Sequence, residues 1–192
     1  MSRRAAGFII GLAVALILGV AAWWLLQKDG GGTFLRGDRR GAAAEPGQVV
    51  PMDLHFPAPA SSGGLLRVER RDLEVTEAPK NRIRRIVEAL LAGPRTQGLG
   101  RPFPEGVTLG SVQLDDDGTA YIDFRWEGHE EPPPGGSTEE IQRIYSVVNS
   151  VSLNVPQAQR VTLLWNNSQR LTWSGHLDTS RPLVPSRELS AP

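Results

Sequence analysis

Residues Gly7–Leu26 form one unbroken apolar run, with Arg3 and Arg4 just before it. About 20 residues at 1.5 Å rise make a helix about 30 Å long, which is the thickness of the hydrocarbon core of a bilayer. A helix satisfies its own backbone groups, so such a run can cross lipid. A buried core helix that is apolar on every face would need a far larger protein around it. The two arginines favour a cytoplasmic N-terminus, and Trp23 and Trp24 lie near the far end, where amphipathic rings prefer the membrane interface. A cleaved signal peptide is the alternative. Its apolar region usually runs about 7–15 residues. Here the run is longer, and the small residues Gly19 and Ala21 are followed by Trp23, Trp24, Leu25 and Leu26 rather than by a polar mature start. The reading is a cytoplasmic segment over residues 1–6, a single-pass transmembrane helix acting as an anchor over 7–26, and an extracytoplasmic remainder at the cell membrane. Arg36, Arg39 and Arg40 lie on that outer side and run against the positive-inside rule.

Residues 27–48 are rich in Gly, Ala and charge and bury too little to order themselves, which predicts a flexible linker. A random coil of that length spans roughly 25 Å. The rest divides into one domain over 49–185 and a loosely held tail over 186–192. The chain has no cysteine. Disulfides, Cys-type zinc sites, a thiol nucleophile and a lipid-bearing N-terminal cysteine are therefore all excluded. The formal net charge is zero, which argues against nucleic acid as a partner, since such binders carry a basic excess or stripe.

Periodicity divides the domain into eight elements. Val50, Met52, Leu54 and Phe56 alternate with Pro51, Asp53 and His55, as in a half-buried strand; a second strand follows over 65–75. Pro79 suits a first helical turn, and Ile83, Ile86, Val87, Leu90 and Leu91 recur at helical spacing until Gly93 and Pro94 stop the helix. Residues 107–114 form a strand whose phase shifts at Gly110, as at a bulge. Asp115–Gly118 make a tight turn into the clearest strand, where Ala120, Ile122, Phe124 and Trp126 alternate with polar residues. Ser137 with Glu140 has a capping-box pattern, opening a second helix with Ile141, Ile144, Tyr145, Val148 and Ser152. Val161, Leu163 and Trp165 make a strand, Asn166–Gln169 a turn, and Leu171 and Trp173 a returning strand. The order ββαββαββ predicts an α+β domain, with two helices packed on one mainly antiparallel sheet.

Several of these segments together resemble a known family. Ile144-Tyr145-Ser146-Val147-Val148-Asn149-Ser150-Val151 is similar to the signature helix of the GerMN domain of sporulation and spore-germination proteins. Tyr121-Ile122-Asp123-Phe124, Leu90-Leu91-Ala92-Gly93-Pro94, Phe103-Pro104-Glu105-Gly106 and Gly175-His176-Leu177-Asp178 resemble further pieces, in order and in register. The resemblance implies a small α+β domain outside the cytoplasm, on a membrane anchor or lipoprotein. It implies a non-enzymatic interaction module of cell-envelope or spore-related assembly, with an envelope protein or peptidoglycan as partner and no cofactor. It supplies no catalytic residues. The missing lipid-bearing cysteine departs from the lipoprotein members and leaves the domain untouched.

The chemistry-bearing residues favour the same reading. Asp115, Asp116 and Asp117 lack calcium-loop spacing and a distal Glu. His55, His129 and His176 form no metal-ligand pattern, so no metal site is expected. Glu130 and Glu131 flank prolines, a poor setting for the raised pKa that glycoside hydrolysis needs. A glycan- or peptidoglycan-acting enzyme and a sensing subunit of a larger membrane complex are the alternative functions. The candidate ligand contacts are Asn149, Trp126, Trp165 and Trp173. Asn149 sits in mid-helix and either bonds a nearby loop or meets a ligand; the three tryptophans could stack on sugar rings if exposed together. The loops 95–106 and 127–136 are the candidate contact surfaces.

Overall fold

A computed structural model describes residues 47–62 and 65–190. The transmembrane helix expected over 7–26, the cytoplasmic segment 1–6 and nearly all of the linker lie outside the described residues. Among the described residues, no helix is long and apolar enough to cross a membrane. They form β1 (Gln48–Pro57), β2 (Leu66–Val75), α1 (Pro79–Leu91), β3 (Val107–Leu114), β4 (Thr119–Trp126), α2 (Ser137–Asn154), β5 (Arg160–Trp165) and β6 (Ser168–Gln169), with short 3-10 turns at Ala60–Ser62 and Arg187–Leu189.

The α+β class, the two helices and the element order are as expected, but the single, mainly antiparallel sheet is not. The strands form two sheets, the antiparallel hairpin β1–β2 and a four-stranded sheet ordered β3-β4-β5-β6. Within the second, β4 pairs with β5 in parallel. Alternation in a sequence shows which face of a strand is buried, not which strand lies beside it. The chain between β4 and β5 carries α2, and a helical crossover returns a strand in the same direction. The bulge expected at Gly110 is present, as a register shift between Leu109 and Val112. The returning strand is far shorter than expected. Asn166 and Asn167 turn with φ of 51° and 62°, as in the tight hairpin turns that favour Asn. Only Ser168 and Gln169 pair before the chain leaves the sheet.

The core takes Met52, Leu54 and Phe56 from β1, Ile83, Ile86, Val87 and Leu90 from α1, Ile122 and Phe124 from β4, and Ile144, Val147 and Val151 from α2. Phe103 stacks on Phe124 at 4.7 Å, and Trp173 meets Phe124 and Trp165 edge-on at 5.7 and 5.5 Å. These offset and edge geometries suit the quadrupoles of the rings.

Helix α2 packs on both β1 and β5 and against α1, so it is buried on more than one face. Its polar side chains are therefore bonded to protein. Asn154 accepts from the Asp53 amide at 2.9 Å and donates to the Asp53 carbonyl at 2.8 Å, and Ser150 Oγ accepts from the His55 amide at 2.8 Å. These bonds close the outer edge of β1 much as another strand would. Asn149 pairs in the same two-bond manner with Ser186, at 2.8 and 2.9 Å. In the tail expected to be loose, the described residues 186–190 are held by that pair, by the turn at Arg187–Leu189, and by a bridge from Ser190 to Leu66.

The start of α2 also differs from expectation. Its N-cap is Gly136, and Glu139 accepts from the Gly136 amide at 3.3 Å. Glu140, one residue on, turns inward and is fully buried. Its carboxylate accepts from the amides of Trp173, Ser174 and His176, each at 2.8 Å. Burial works to raise its pKa, but the Ser174, His176 and Trp173 amides outweigh that and hold it below the usual carboxylate range. Arg143, a turn further, donates to the carbonyls of Pro102, Pro133 and Pro134. Proline segments offer acceptors and no N–H, so a guanidinium, all donor, matches them.

Truncating Glu140→Ala strands three amides and is expected to cost about 3 kcal/mol in urea unfolding. Glu140→Gln costs less, because one oxygen still serves Trp173 and Ser174. His55 is 4% exposed, and its ring Nδ1 has no partner. Burial lowers its pKa from 6.5 to about 4, against the pull of nearby Asp53 and with a small push from Arg187. The folded state thus prefers neutral His55. Its contribution is complete above the unfolded pKa and is lost as pH falls from 6.5 towards 4. Stability should drop by about 3 kcal/mol from this group across that window. His55→Leu should flatten the slope there when unfolding is measured across pH.

Candidate functional site

A groove of about 530 Å³ opens at the carboxyl ends of β4 and β5. That is where sheets with parallel strands generally place their ligands, and the volume falls in the range of small-ligand sites. Its walls come from Thr108 at the start of β3, Arg125 and Trp126 at the end of β4, the loop Glu127–Glu130, and Asn166 just past β5. Trp126 is half-buried, and the exposed His129 ring stacks on it at 3.6 Å, 16° from parallel. The His129 amide donates to the Trp126 carbonyl at 3.0 Å, so the loop turns back directly onto the ring.

Buried contacts beneath the groove hold it in shape. Asp123 is fully buried; it accepts from the Asn167 amide at 2.6 Å and from Arg125 Nε at 2.9 Å. One carboxylate thereby fixes both the Asn166–Asn167 turn and the base of the Arg125 side chain. The β3 bulge makes the space, because any side chain at Gly110 would run into the Asp123 carboxylate and Arg125. Gly106, at φ 92°, plays the same part for Trp126, since a Cβ there would stand 2.8 Å from the indole nitrogen. Asn166 donates to the His129 carbonyl at 3.2 Å, and Arg170 donates to Glu131 and to the Glu130 carbonyl.

The sequence candidates fall in different places. Trp126 lines the groove. Trp165 and Trp173 are core residues, 0% and 4% exposed, so the three tryptophans do not form one exposed platform. Trp173 lies in a loop, not on a strand. Asn149 is fully buried, and its amide is engaged with Ser186. The loop 127–136 forms one wall of the groove. The loop 95–106 lies elsewhere, pinned by Glu69, which accepts from the Arg95 and Thr96 amides at 2.9 and 2.6 Å. Burial works to raise the Glu69 carboxyl, but bonds from Thr96 and Arg71 hold it below its usual range. Glu127, Glu130 and Glu131 are exposed. No group of three or more His, Asp or Glu positioned for a metal occurs among the described residues.

Sequence reasoning passed over Glu140, Arg143 and Asp123 as organisers of these loops. The signal was present for Glu140: with Ile144, Val147 and Val151 it falls at i, i+4, i+7 and i+11, on the buried stripe of α2.

The family model described as Germane, sporulation and spore germination, matches residues 53–170. No curated protein matches the sequence. Among solved structures, the first GerMN domain of the sporulation protein GerM from Bacillus subtilis is similar, with a TM-score of 0.54 at 18% identity, covering 72% of this chain and 98% of that one. The tandem GerMN domains of the same protein align with a TM-score of 0.55 at 17% identity, over 71% of this chain and 46% of that one, so this chain corresponds to one repeat of the pair. A protein from Clostridium perfringens assigned as a lipoprotein aligns with a TM-score of 0.50 at 19% identity, over 71% of this chain and 87% of that one. At these identities the neighbours speak to the fold, and the family match, which spans more than half of the sequence, speaks to descent. The chain belongs to the Germane family of sporulation and spore-germination domains, the GerMN group that its motifs resemble.

Proposed function

We propose that this protein is a non-catalytic binding domain of the cell envelope. It is tethered by the Gly7–Leu26 run on the outer side of the membrane, and its groove meets an envelope protein or peptidoglycan. The use of the acidic side chains supports this most. Acid–base chemistry on a glycan calls for two carboxylates facing each other across a cleft, roughly 5–10 Å apart, one of them with a raised pKa. Here Asp123 is turned onto the Asn167 amide and Arg125, while Glu127, Glu130 and Glu131 point to solvent from a loop. The groove offers instead a ring stack edged by Arg125, Asn166 and Thr108, a surface suited to recognition. The family's association with sporulation and germination, and a structural neighbour assigned as a lipoprotein, sit well with an envelope location. A linker spanning roughly 25 Å keeps the domain close to the membrane face.

The test presents the full chain, in detergent micelles, to an envelope-protein fraction and to isolated cell wall. Retention of a partner from one of the two is expected, weakened about tenfold by His129→Ala combined with Glu130→Lys, as for truncation of contact residues. Retention from neither fraction would overturn the proposal. Asp123→Ala is expected to cost about 2 kcal/mol in urea unfolding and to weaken binding as well. His129→Ala should leave stability within about 0.5 kcal/mol.

A further inference from the structure

The two edges of the β1–β2 hairpin are treated differently. The amides of Asp53 and His55 bond to Asn154 and Ser150 of α2, so both residues point away from β2. Their cross-strand partners are Arg70 and Val68. In an antiparallel ladder, residues opposite such outward-pointing positions also point outward, on the other edge. Val68, Arg70, Asp72 and Glu74 therefore turn their backbone N–H and C=O groups to the free edge of β2. Ser190 bridges Leu66 at one end of that edge. Beyond it, no backbone group of these four residues has a partner on the edge among the described residues. Val68 is one of the few large apolar residues left exposed, at 43%.

An open edge of this length is a template for another strand, and its side chains specify which one. Along the exposed face run Val68, Arg70, Asp72 and Glu74. When a second copy of the same edge is laid antiparallel, three registers pair at least three of these four outward residues. One sets Arg70 against Arg70; another sets Asp72 against Asp72, with Arg70 facing Glu74 on either side. The register between them sets Arg70 against Asp72 twice, once on each side of the two-fold axis, with Val68 facing Glu74. Opposite charges directly across a strand pair attract and like charges repel, so charge favours this middle register, in which the exposed Arg70 is shared between the incoming Asp72 and Asp53 of its own hairpin, 3.2 Å from its Nε. The residue on the axis is Arg71, whose guanidinium is already engaged with Glu69 and with the Ala89 and Gly93 carbonyls inside its own domain.

We propose that the β2 edge is a self-association surface, on which a second copy of this chain docks its own β2 antiparallel, with Arg70 of each copy opposite Asp72 of the other. This surface is separate from the groove at the ends of β4 and β5. The dimer joins two hairpins into one four-stranded sheet, and a closed two-fold leaves no further edge to propagate.

The natural chain has no cysteine, so introduced thiols report on register without interference. Full chains carrying Arg70→Cys and Asp72→Cys, mixed in detergent micelles under mild oxidation, should form a disulfide between copies; directly opposed residues are close enough for one. Either variant alone places its two thiols out of step and should cross-link far less. That control also separates edge pairing from chance crowding in a micelle. In a second arm, Arg70→Pro removes the outward N–H together with the exposed side chain and its ion pair to Asp53, and leaves the β1 ladder intact. It should fold as the parent does and reduce association about tenfold or more in sedimentation, as a proline blocks strand addition. Arg70→Asp should also dissociate the pair, and Arg70→Asp with Asp72→Arg should restore it. Equal cross-linking in the mixed and single samples, parent-like association of folded Arg70→Pro, or a parent chain monomeric at tens of micromolar would each overturn the proposal, as would a different protein found paired to β2 in its place.

Discussion

The fold depends on one helix meeting the hydrogen-bond needs of chain that belongs to no sheet. Backbone amides and carbonyls removed from water must find partners, and much of this domain is loop. Along α2, Gln142 donates to the Ala58 and Leu65 carbonyls, Glu140 accepts from three amides of the segment 173–176, and Arg143 donates to three proline carbonyls. Asn149 holds the tail, and Asn154 and Ser150 hold the edge of β1. The apolar face of the helix joins the core as any amphipathic helix would. Much of the rest of its surface past the first turn is polar and wholly or partly buried, and each of these contacts replaces a strand or a turn that the sequence does not supply. A net gain of about 1 kcal/mol per bond matters less than the larger penalty for leaving any of them unmade.

The same arrangement carries over to the groove on a smaller scale. Its rim is loop, yet Asp123 reaches it from the middle of a buried strand and fixes the Asn166–Asn167 turn and Arg125 together. The bulge at Gly110 gives up ladder regularity in β3, and the space it frees is occupied by that carboxylate. Recognition surfaces work best when their loops are set by rigid elements. Here the setting comes through a buried carboxyl group accepting backbone and guanidinium N–H groups, together with the His129 ring stacked on Trp126.

How far the sequence revealed this follows from what periodicity encodes. The stripes of α1 and β4, the stop at Gly93 and Pro94, and the phase slip at Gly110 each reflect local geometry, and each was legible. Neighbour choice was not: Ile122 and Leu163 alternate in the same way whether β4 and β5 run parallel or antiparallel. The short β6 was missed for a related reason. Leu171 and Trp173 alternate like strand residues, but Trp173 is buried by an aromatic cluster and Leu171 is 71% exposed. Trp126 could be picked out for the groove because it ends a strand next to a loop. Its stacking partner His129 could not, because nothing in the composition of a polar loop says where it folds back. Glu140 and Arg143 were hidden by the convention that charged residues lie off the buried stripe, and this convention fails where a helix must satisfy loops.

Holding loops with carboxylates also separates two kinds of stability within one domain. The core residues Leu54, Ile86, Phe124 and Val147 are held by burial, which is indifferent to protons. The segments around Arg95 and Trp173 are held by Glu69 and Glu140, kept below the usual carboxylate range by Thr96 and Arg71 in the first case and by the Ser174, His176 and Trp173 amides in the second. Each of those contributions is complete above the ordinary carboxylate pKa and fades as pH falls through the lowered one. Buried His55 acts in the same direction at higher pH, because protonating it favours the unfolded chain. Acid therefore weakens the hairpin and the loops while leaving the apolar contacts untouched, and it does so in sequence: His55 under the hairpin edge first, then the carboxylate staples. A domain built in this way loosens the segments around Arg95 and Trp173 before it loses its apolar core.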